Sequence, residues 1–278
     1  MSKVTPRKRT SRKSAKSASL FWTKFTIISL ILFAVLFTVY HYKNALLYYF
    51  SFKTDTVVEQ NKIDGARIHQ VLKRHEDLVL GFDVSEYQGT IDWNTIDSMD
   101  HYKLHFVFVR ATAGSDKVDS KFHLNWKKSN EKSFIRGAYH YYRPNENSIA
   151  QAKNFIKTVR LKKGDLPPVL DIEKLPESQS IDSLKIGLKR WLNYIEKHYK
   201  VKPIIYSGEK YYKDFLKDEF GEYSFWIANY NPWKETMEDD WNFWQFTEKA
   251  VIDGIPHKVD LNLYNGTPKM LQYLTIAN

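Results

Sequence analysis

The chain has 278 residues, enough for one large domain or two small ones, and ample apolar and aromatic residues for a core. It contains no cysteine, which excludes disulfides, thiolate metal ligands and thiol nucleophiles. Of the net charge of +10, nine Lys or Arg and no acidic residue lie in residues 1–43, which leaves 33 basic and 32 acidic residues in the remainder. Because the excess lies in a tail, nucleic-acid binding is not expected.

An apolar segment, residues 25–42, follows this tail and contains no charged residue. As a helix it would span about 27 Å, close to the ~30 Å of a bilayer core. A cleaved signal peptide is the alternative, but the segment is long for one and no small-residue cleavage site follows it. We therefore expect an uncleaved membrane anchor. The basic residues favour a cytoplasmic location for residues 1–24 and a periplasmic or otherwise extracytoplasmic one for the rest.

Residues 43–77 mix charges with a weak apolar period and are interpreted as a partly helical stalk. From residue 78 to residue 278 the chain contains eight strand-like runs, each followed by polar or turn residues. These runs are 78–84, 105–111, 135–141, 168–172, 203–206, 224–228, 242–246 and 258–263. Amphipathic helical patterns separate the early runs, whereas the last two connections, of about ten residues each, are too short for a packed helix. The pattern predicts an α/β fold, a TIM-like (β/α)5(β)3 barrel with its site at the C-terminal ends of the strands.

The most informative strand end carries Asp171 and Glu173, which close the fourth run. Residues two apart share a face of a strand, so these carboxylates are expected to point the same way. One carboxylate beside another in partly desolvated surroundings raises a pKa, which is how a general acid stays protonated at neutral pH. Asp83 ends the first run and Asp260 lies on the eighth. Four carboxylates among aromatic residues, without a Lys/Arg cluster or Gly-rich loop there, favour an uncharged carbohydrate ligand.

In this order, the strand-end motifs resemble glycoside hydrolase family 25, the Chalaropsis-type N-acetylmuramidases. The resemblance covers residues 81 to 266, effectively the whole exported domain. The motifs are Asp83-Val84-Ser85, Gln88-Gly89, Asp92-Trp93, residues 106–112, residues 137–141, Asp171-Ile172-Glu173, Tyr206-Ser207, residues 226–230, Trp244-Gln245-Phe246 and residues 259–262. One departure is Ala113, where an acidic residue is common in the family; we interpret it as a change at the rim.

The resemblance implies the (β/α)5(β)3 barrel and a peptidoglycan muramidase that needs neither metal nor cofactor. Its substrate bond would be the β-1,4 linkage between N-acetylmuramic acid and N-acetylglucosamine. Glu173 matches the catalytic acid and Asp171 its partner, while Asp83 and Asp260 match acidic residues with orienting or electrostatic roles. The residues expected to contact the glycan strand are Tyr139, Tyr141, Tyr206, Trp226, Trp244 and Gln245.

Two alternatives remain beside an enzyme of this kind. The first is a membrane-tethered, non-catalytic glycan-binding module on the same barrel, against which the four carboxylates argue. The second is a metal-dependent deacetylase, which would need His/Asp ligands at strand ends; His140 lies between Tyr139 and Tyr141 and should instead face the barrel exterior. The spacing leaves open whether a carboxylate or the substrate's acetamido group attacks the anomeric carbon. A monomer is expected.

Overall fold

The computed structural model describes residues 14–43, 45–46, 59–238 and 240–277. The chain divides into two compact units, Met1–Val57 and Val58–Asn278. The first unit contains helix α1 (Ser14–His41), of which Trp22–His41 is long and apolar enough to cross a membrane. The apolar side chains of this segment are exposed, so no core among the described residues accounts for them. Residues 1–13 and most of the linker between the units lie outside the described part.

The second unit is a closed barrel of eight strands, which confirms the predicted fold class. Six neighbouring pairs, from β1–β3 around to β8–β9, are parallel, whereas β10 pairs antiparallel with both β9 and β1 and closes the barrel. All eight predicted runs are strands. They are β1 (Val79–Val84), β3 (Tyr102–Ala113), β5 (Ile135–Tyr141), β6 (Val169–Asp171), β7 (Ile204–Gly208), β8 (Ser224–Ala228), β9 (Phe243–Ala250) and β10 (Val259–Tyr264). The short strands β2 (Ser98–Met99) and β4 (Lys117–Val118) pair with β3.

Helices occupy four of the crossovers and follow the last strand. In chain order they are α3 (Phe122–Glu131), α4 (Ser148–Thr158), α5 (Ile181–Tyr199), the short α6 (Glu209–Tyr211), which continues into a π-helical turn (Tyr212–Leu216), and α7 (Pro268–Leu274). As the connection lengths predict, no helix separates β8, β9 and β10 among the described residues. The first crossover differs from the predicted pattern, because residues 85–101 form a 3₁₀ turn (Glu86–Gln88) and β2 in place of an α-helix.

Helix α2 (Glu59–Arg74) precedes the barrel and packs against it. Ile68, Val71 and Leu72 share one face of the helix and are buried in the core. The Arg74 guanidinium pairs with Glu235 at 2.8 Å, which adds a polar contact at the end of the helix. The compact unit therefore begins at Val58, and the stalk interpretation of residues 43–77 is wrong for α2. The rest of that segment lies largely outside the described residues.

Aromatic rings fill the barrel interior below the strand ends. Phe108 stacks on Trp226 with ring centroids 4.4 Å apart, and Phe106 and Phe243 pack beside it. Gly137 faces this layer, and a Cβ atom built on it would lie 2.4 Å from the Phe108 ring. The Phe108 ring therefore fits because residue 137 has no side chain. The layer forms a solid floor, so a ligand can enter only above it, at the C-terminal ends of the parallel strands.

Candidate active site

The four carboxylates predicted from the sequence, together with Glu248, line one cavity of about 210 Å³ at these strand ends. Asp83 comes from β1, Asp171 from β6 and Asp260 from β10, while Glu173 lies two residues beyond Asp171. Asp171 and Glu173 both face the cavity, as strand alternation predicts. Asp83 and Asp171 are each 5% exposed, whereas Glu173 lies at the rim in contact with solvent. The other lining residues are Tyr139, Tyr206, Trp226, Tyr230 and Gln245.

Asp83 is held by two amide donors. Its Oδ2 accepts a hydrogen bond from Nε2 of Gln245 at 2.7 Å and another from Nδ2 of Asn262 at 2.8 Å. Burial raises the pKa of Asp83 to about 6, and the hydrogen bonds from Asn262, Gln245 and Asp260 oppose that rise because they favour the charged form. At neutral pH Asp83 is therefore ionised.

Asp260 lies directly opposite Asp83 in the β1–β10 register. Burial, followed by the negative charge of Asp83, raises the pKa of Asp260 to about 9. The proton of this pair therefore stays on Asp260, which donates a hydrogen bond to Asp83. The pair carries one negative charge at neutral pH, since two adjacent buried anions would repel each other without water to screen them.

Asp171 is a second buried acid with a raised pKa. Burial raises its pKa well above the ordinary value; the charges of Glu173 and Asp83 add to the rise and Arg110 opposes it. The Oδ1 atom has no hydrogen-bond partner among the described residues. Leaving such an atom unpaired costs free energy, which a ligand that forms the missing hydrogen bond recovers. Asp171 thus lines the cavity and carries one buried oxygen without a partner among the described residues.

Glu173 combines access to solvent with a raised pKa. The main cause of the raised pKa is partial desolvation of the carboxylate by the surrounding protein, even though the residue as a whole is exposed; a hydrogen bond with Tyr206 and the charge of Lys174 oppose the rise. A carboxyl group in such surroundings can retain a proton near neutral pH and give it to a bound substrate.

Two amide side chains connect the aromatic wall of the cavity to Asp83. Gln245 accepts hydrogen bonds at Oε1 from the hydroxyl of Tyr206, at 2.6 Å, and from that of Tyr230. Asn262 accepts one at Oδ1 from the indole of Trp226, at 2.8 Å. Because each amide also donates to Asp83, the ring positions and the carboxylate position are coupled.

The predicted sugar contacts divide between the cavity and the core. Tyr139, Tyr206, Trp226 and Gln245 line the cavity, although Trp226 is only 2% exposed and forms its floor. Tyr141, at the end of β5, is not among the lining residues; burial and then the charges of Glu173 and Asp171 raise its pKa to about 12.

The prediction for Trp244 is wrong. Its side chain is fully buried and packs edge-on against His75, and its indole donates to the carbonyl of Asn229 at 3.2 Å. Neighbouring strand residues point to opposite faces, so Gln245 faces the cavity and Trp244 faces away. The same alternation confirms the exterior position of His140, which is buried and hydrogen-bonded to Thr112 and Gln151.

Sequence reasoning missed Tyr230, Asn262 and Glu248 as residues of the site. A signal existed for Asn262, since it follows Asp260 by two positions and so shares its strand face. Tyr230 lies beyond the end of β8, where no strand periodicity applies.

A larger groove of about 850 Å³ adjoins the carboxylate cavity. Glu173, Tyr206 and Tyr230 line both spaces, so Glu173 stands where the two meet. Leu175, Phe215 and Asn229 are among the residues that line only the larger groove. An extended ligand can therefore occupy both spaces and cross Glu173 between them.

The chain contains a closed α/β barrel with carboxylates and aromatic residues at its strand ends, and one of these carboxylates, Glu173, is an accessible acid. These features place the protein in the class of glycoside hydrolases. A model of glycosyl hydrolases family 25 matches residues 82–255. The chain belongs to this family.

The chain is also similar to individual proteins and solved structures. The chain is 40% identical over 197 residues to the uncharacterized protein YegX of Escherichia coli (strain K12), covering 69% of this chain and 71% of YegX. It is 31% identical over 215 residues to lysozyme M1 of Streptomyces globisporus, covering 72% of this chain and 71% of the relative. Among solved structures, a family 25 glycosyl hydrolase from Bacillus anthracis aligns with a TM-score of 0.65 and 30% identity, over 73% of this chain and 95% of the other. A lysozyme from Streptomyces coelicolor aligns with a TM-score of 0.64 and 26% identity, over 71% and 96%.

Proposed function

We propose that this glycoside hydrolase is a membrane-anchored muramidase that cleaves the β-1,4 bond between N-acetylmuramic acid and N-acetylglucosamine in peptidoglycan. The lysozyme relatives support peptidoglycan hydrolysis as the activity. The observation that carries the finer assignment is the position of Glu173, an acid of raised pKa where the carboxylate cavity meets the larger groove.

In this proposal Glu173 protonates the glycosidic oxygen as the bond breaks. The sugar that becomes cationic occupies the cavity of Asp83, Asp171 and Asp260, because negative charge there stabilises an oxocarbenium-like transition state. The leaving sugar then lies across Glu173, in the groove beside Leu175 and Asn229. Glu173 would thus separate the two halves of the bound glycan.

Asp83 and Asp171 have different roles in this mechanism. Asp83 is the ionised member of the Asp83–Asp260 pair, so it can stabilise the developing positive charge. The pKa of Asp171 is raised and its Oδ1 is unpaired among the described residues, so in this mechanism Asp171 forms a hydrogen bond with a polar substituent of the bound sugar, such as the acetamido group. Both a carboxylate nucleophile and attack by that acetamido group are compatible with these roles.

The membrane anchor is the second part of the proposal. Its support is the apolar segment Trp22–His41, which follows a basic tail without acidic residues. This arrangement favours a cytoplasmic N-terminus and a barrel on the other side of the membrane, where peptidoglycan lies.

The replacement Glu173→Gln tests the catalytic assignment, because it keeps the shape of the side chain and removes the proton donor. We expect lysis of purified peptidoglycan sacculi, followed by turbidity, to fall by at least ~10²–10⁴-fold while the variant still co-sediments with sacculi. Glu131→Gln, a change of the same kind on an exposed helix, should keep full activity. Substantial lysis by Glu173→Gln would show that another group is the acid. Binding without lysis by the unaltered protein would favour the glycan-binding module.

A further inference from the structure

A second groove lies on the helical exterior of the barrel, between α4 and α5, and has a volume of about 700 Å³. None of its lining residues belongs to the carboxylate cavity or to the groove beside Glu173. We call it the basic groove, because it contains four side chains that are always cationic and no acidic one. Its lining residues are Lys153, Ile156, Lys157, Arg160, Tyr194, Lys197 and His198.

The lysines of the basic groove lack the ion pairs that other surface lysines form. Within the described part of the chain, Lys153, Lys157 and Lys197 have no salt bridge to a carboxylate. On the opposite side of α5, by contrast, Lys185 and Lys189 both pair with Glu219, at 2.7 and 3.0 Å.

This local excess of positive charge is unfavourable in the absence of an anion. Lys153 and Lys157 are four residues apart on α4, and like charges at that spacing repel each other. Arg160 is anchored nearby, since its guanidinium donates to the carbonyl of Ile156 at 2.6 Å. The barrel and its preceding segment are almost neutral as a whole, so this concentration of charge is a local feature.

The surface of α5 beside the basic groove has the composition of a membrane-interface helix. Ile186 is 51% exposed and Tyr194 36% exposed, and helical periodicity places Arg190 and Lys197 on the same stripe. Exposed apolar and tyrosine side chains among cations are typical of helices that lie at the level of lipid headgroups.

We propose that the basic groove docks the barrel onto a membrane surface containing anionic phospholipids. Lipid phosphates bind among Lys153, Lys157 and Lys197, while Tyr194 and Ile186 contact the headgroup region. This inference rests on the proposed anchor, which keeps the barrel near lipid headgroups and makes them the phosphate source at high local concentration. Docking of this kind is electrostatic, so it weakens as salt rises.

The absence of cysteine allows a direct test with the full-length chain. Asn193→Cys places one thiol on the exposed stripe of α5 for an environment-sensitive dye, and Asn94→Cys places one in the loop after β1 as a control. Each labelled protein is reconstituted into nanodiscs of phosphatidylcholine alone, or of phosphatidylcholine mixed with phosphatidylglycerol.

We expect the dye at residue 193 to shift to the blue and resist acrylamide quenching only in the anionic nanodiscs, and to lose both effects at high salt. The substitutions Lys153→Gln, Lys157→Gln and Lys197→Gln together should weaken docking on the order of 100-fold. The matched changes Lys103→Gln, Lys127→Gln and Lys269→Gln, which remove equal charge elsewhere, should leave docking unchanged. Both triple variants should keep their activity on purified sacculi.

Three results would overturn the proposal. The dye at residue 193 could respond equally in both lipid compositions, or the two triple variants could behave alike. The dye at residue 193 could also respond to inorganic phosphate in phosphatidylcholine nanodiscs, which would make the basic groove a site for a free anion. Failure of the chain to enter nanodiscs would refute the anchor alone, because flotation of the same protein with anionic vesicles would still report on the basic groove.

Discussion

Asp83 is the residue on which the charge of the proposed catalytic cavity depends. Burial favours its neutral form, whereas the amides of Gln245 and Asn262 and the proton of Asp260 favour its anion. Asn262 therefore acts as a positioning residue, because it touches Asp83 and Trp226 and sets the charge of one and the orientation of the other. The activity at low pH should follow this balance.

Replacing Asn262 with leucine should raise the pKa of Asp83 above about 6, because one donor to the anion is lost and burial remains. A hydrogen bond to a charged group is worth about 1.5–3 kcal/mol, or roughly one to two pKa units. If ionised Asp83 is required, the acidic limb of the kcat/KM profile moves to higher pH by about that amount. The alkaline limb, on which Glu173 loses its proton, should stay in place. Asn265→Leu, whose exposed side chain donates only to the Trp241 carbonyl, should move neither limb.

Thermal unfolding of the Asn262→Leu variant shows whether it is folded. A folded variant whose acidic limb has not moved would contradict the role given to Asp83.

Strand alternation predicted the pair Asp171 and Glu173 correctly, because both lie at one strand end. It also places Gln245 and Trp244 on opposite faces of their strand. The prediction for Trp244 was wrong because it assigned both neighbouring residues at this strand to the site. Tyr230 could not be found in this way, since it reaches Gln245 from a loop and the contact joins residues 15 apart in the chain.

At the scale of the elements, the site is supported by the aromatic floor and by the glycines that face it. Phe108 lies between Gly137 on β5 and Trp226 on β8, so a change on one strand can reach the cavity through that ring. Packing inside a barrel is dense, and volume added at such a position is poorly tolerated.

Gly137→Ala tests this support. The new methyl group would lie 2.4–2.5 Å from two atoms of the Phe108 ring, so that ring or the strand must move. We expect a loss of about 1–3 kcal/mol in the free energy of unfolding, measured by chemical denaturation. Gly208→Ala meets no atom within 4 Å and should cost less than about 1 kcal/mol. Equal losses for the two variants would mean that the Phe108 contact does not limit packing.

The order of strands and the helix-free last connections followed from hydrophobic runs and loop lengths. Two elements did not. The first crossover was expected to resemble the others, yet Glu86–Gln88 forms a 3₁₀ turn there, closed by reciprocal hydrogen bonds between Ser85 and Gln88. Helix α2 has a weak apolar period in the sequence, and its burial became apparent only from its packing against β9.

At the scale of the whole molecule, positive charge is concentrated in two places, the basic tail and the basic groove. The basic tail precedes the apolar segment Trp22–His41, and counting residues along the sequence was enough to find it. The basic groove joins cations from two helices about 40 residues apart, so only the folded arrangement brings them together.

The topology of the chain follows from the tail and the apolar segment. A reporter that is active only outside the cytoplasm should be active when it is fused after Asn278. Protease added from outside should leave the N-terminal tail intact. A soluble mature protein that begins beyond residue 43 would show that the segment is a cleaved signal.

In the proposed reaction this site breaks the glycan on the muramic side. The most direct measurement is borohydride reduction of digested sacculi, followed by hydrolysis and identification of the reduced sugar. We predict muramicitol, because cleavage by Glu173 leaves N-acetylmuramic acid at the new reducing ends. Glucosaminitol in its place would identify a glucosaminidase and contradict the proposed specificity.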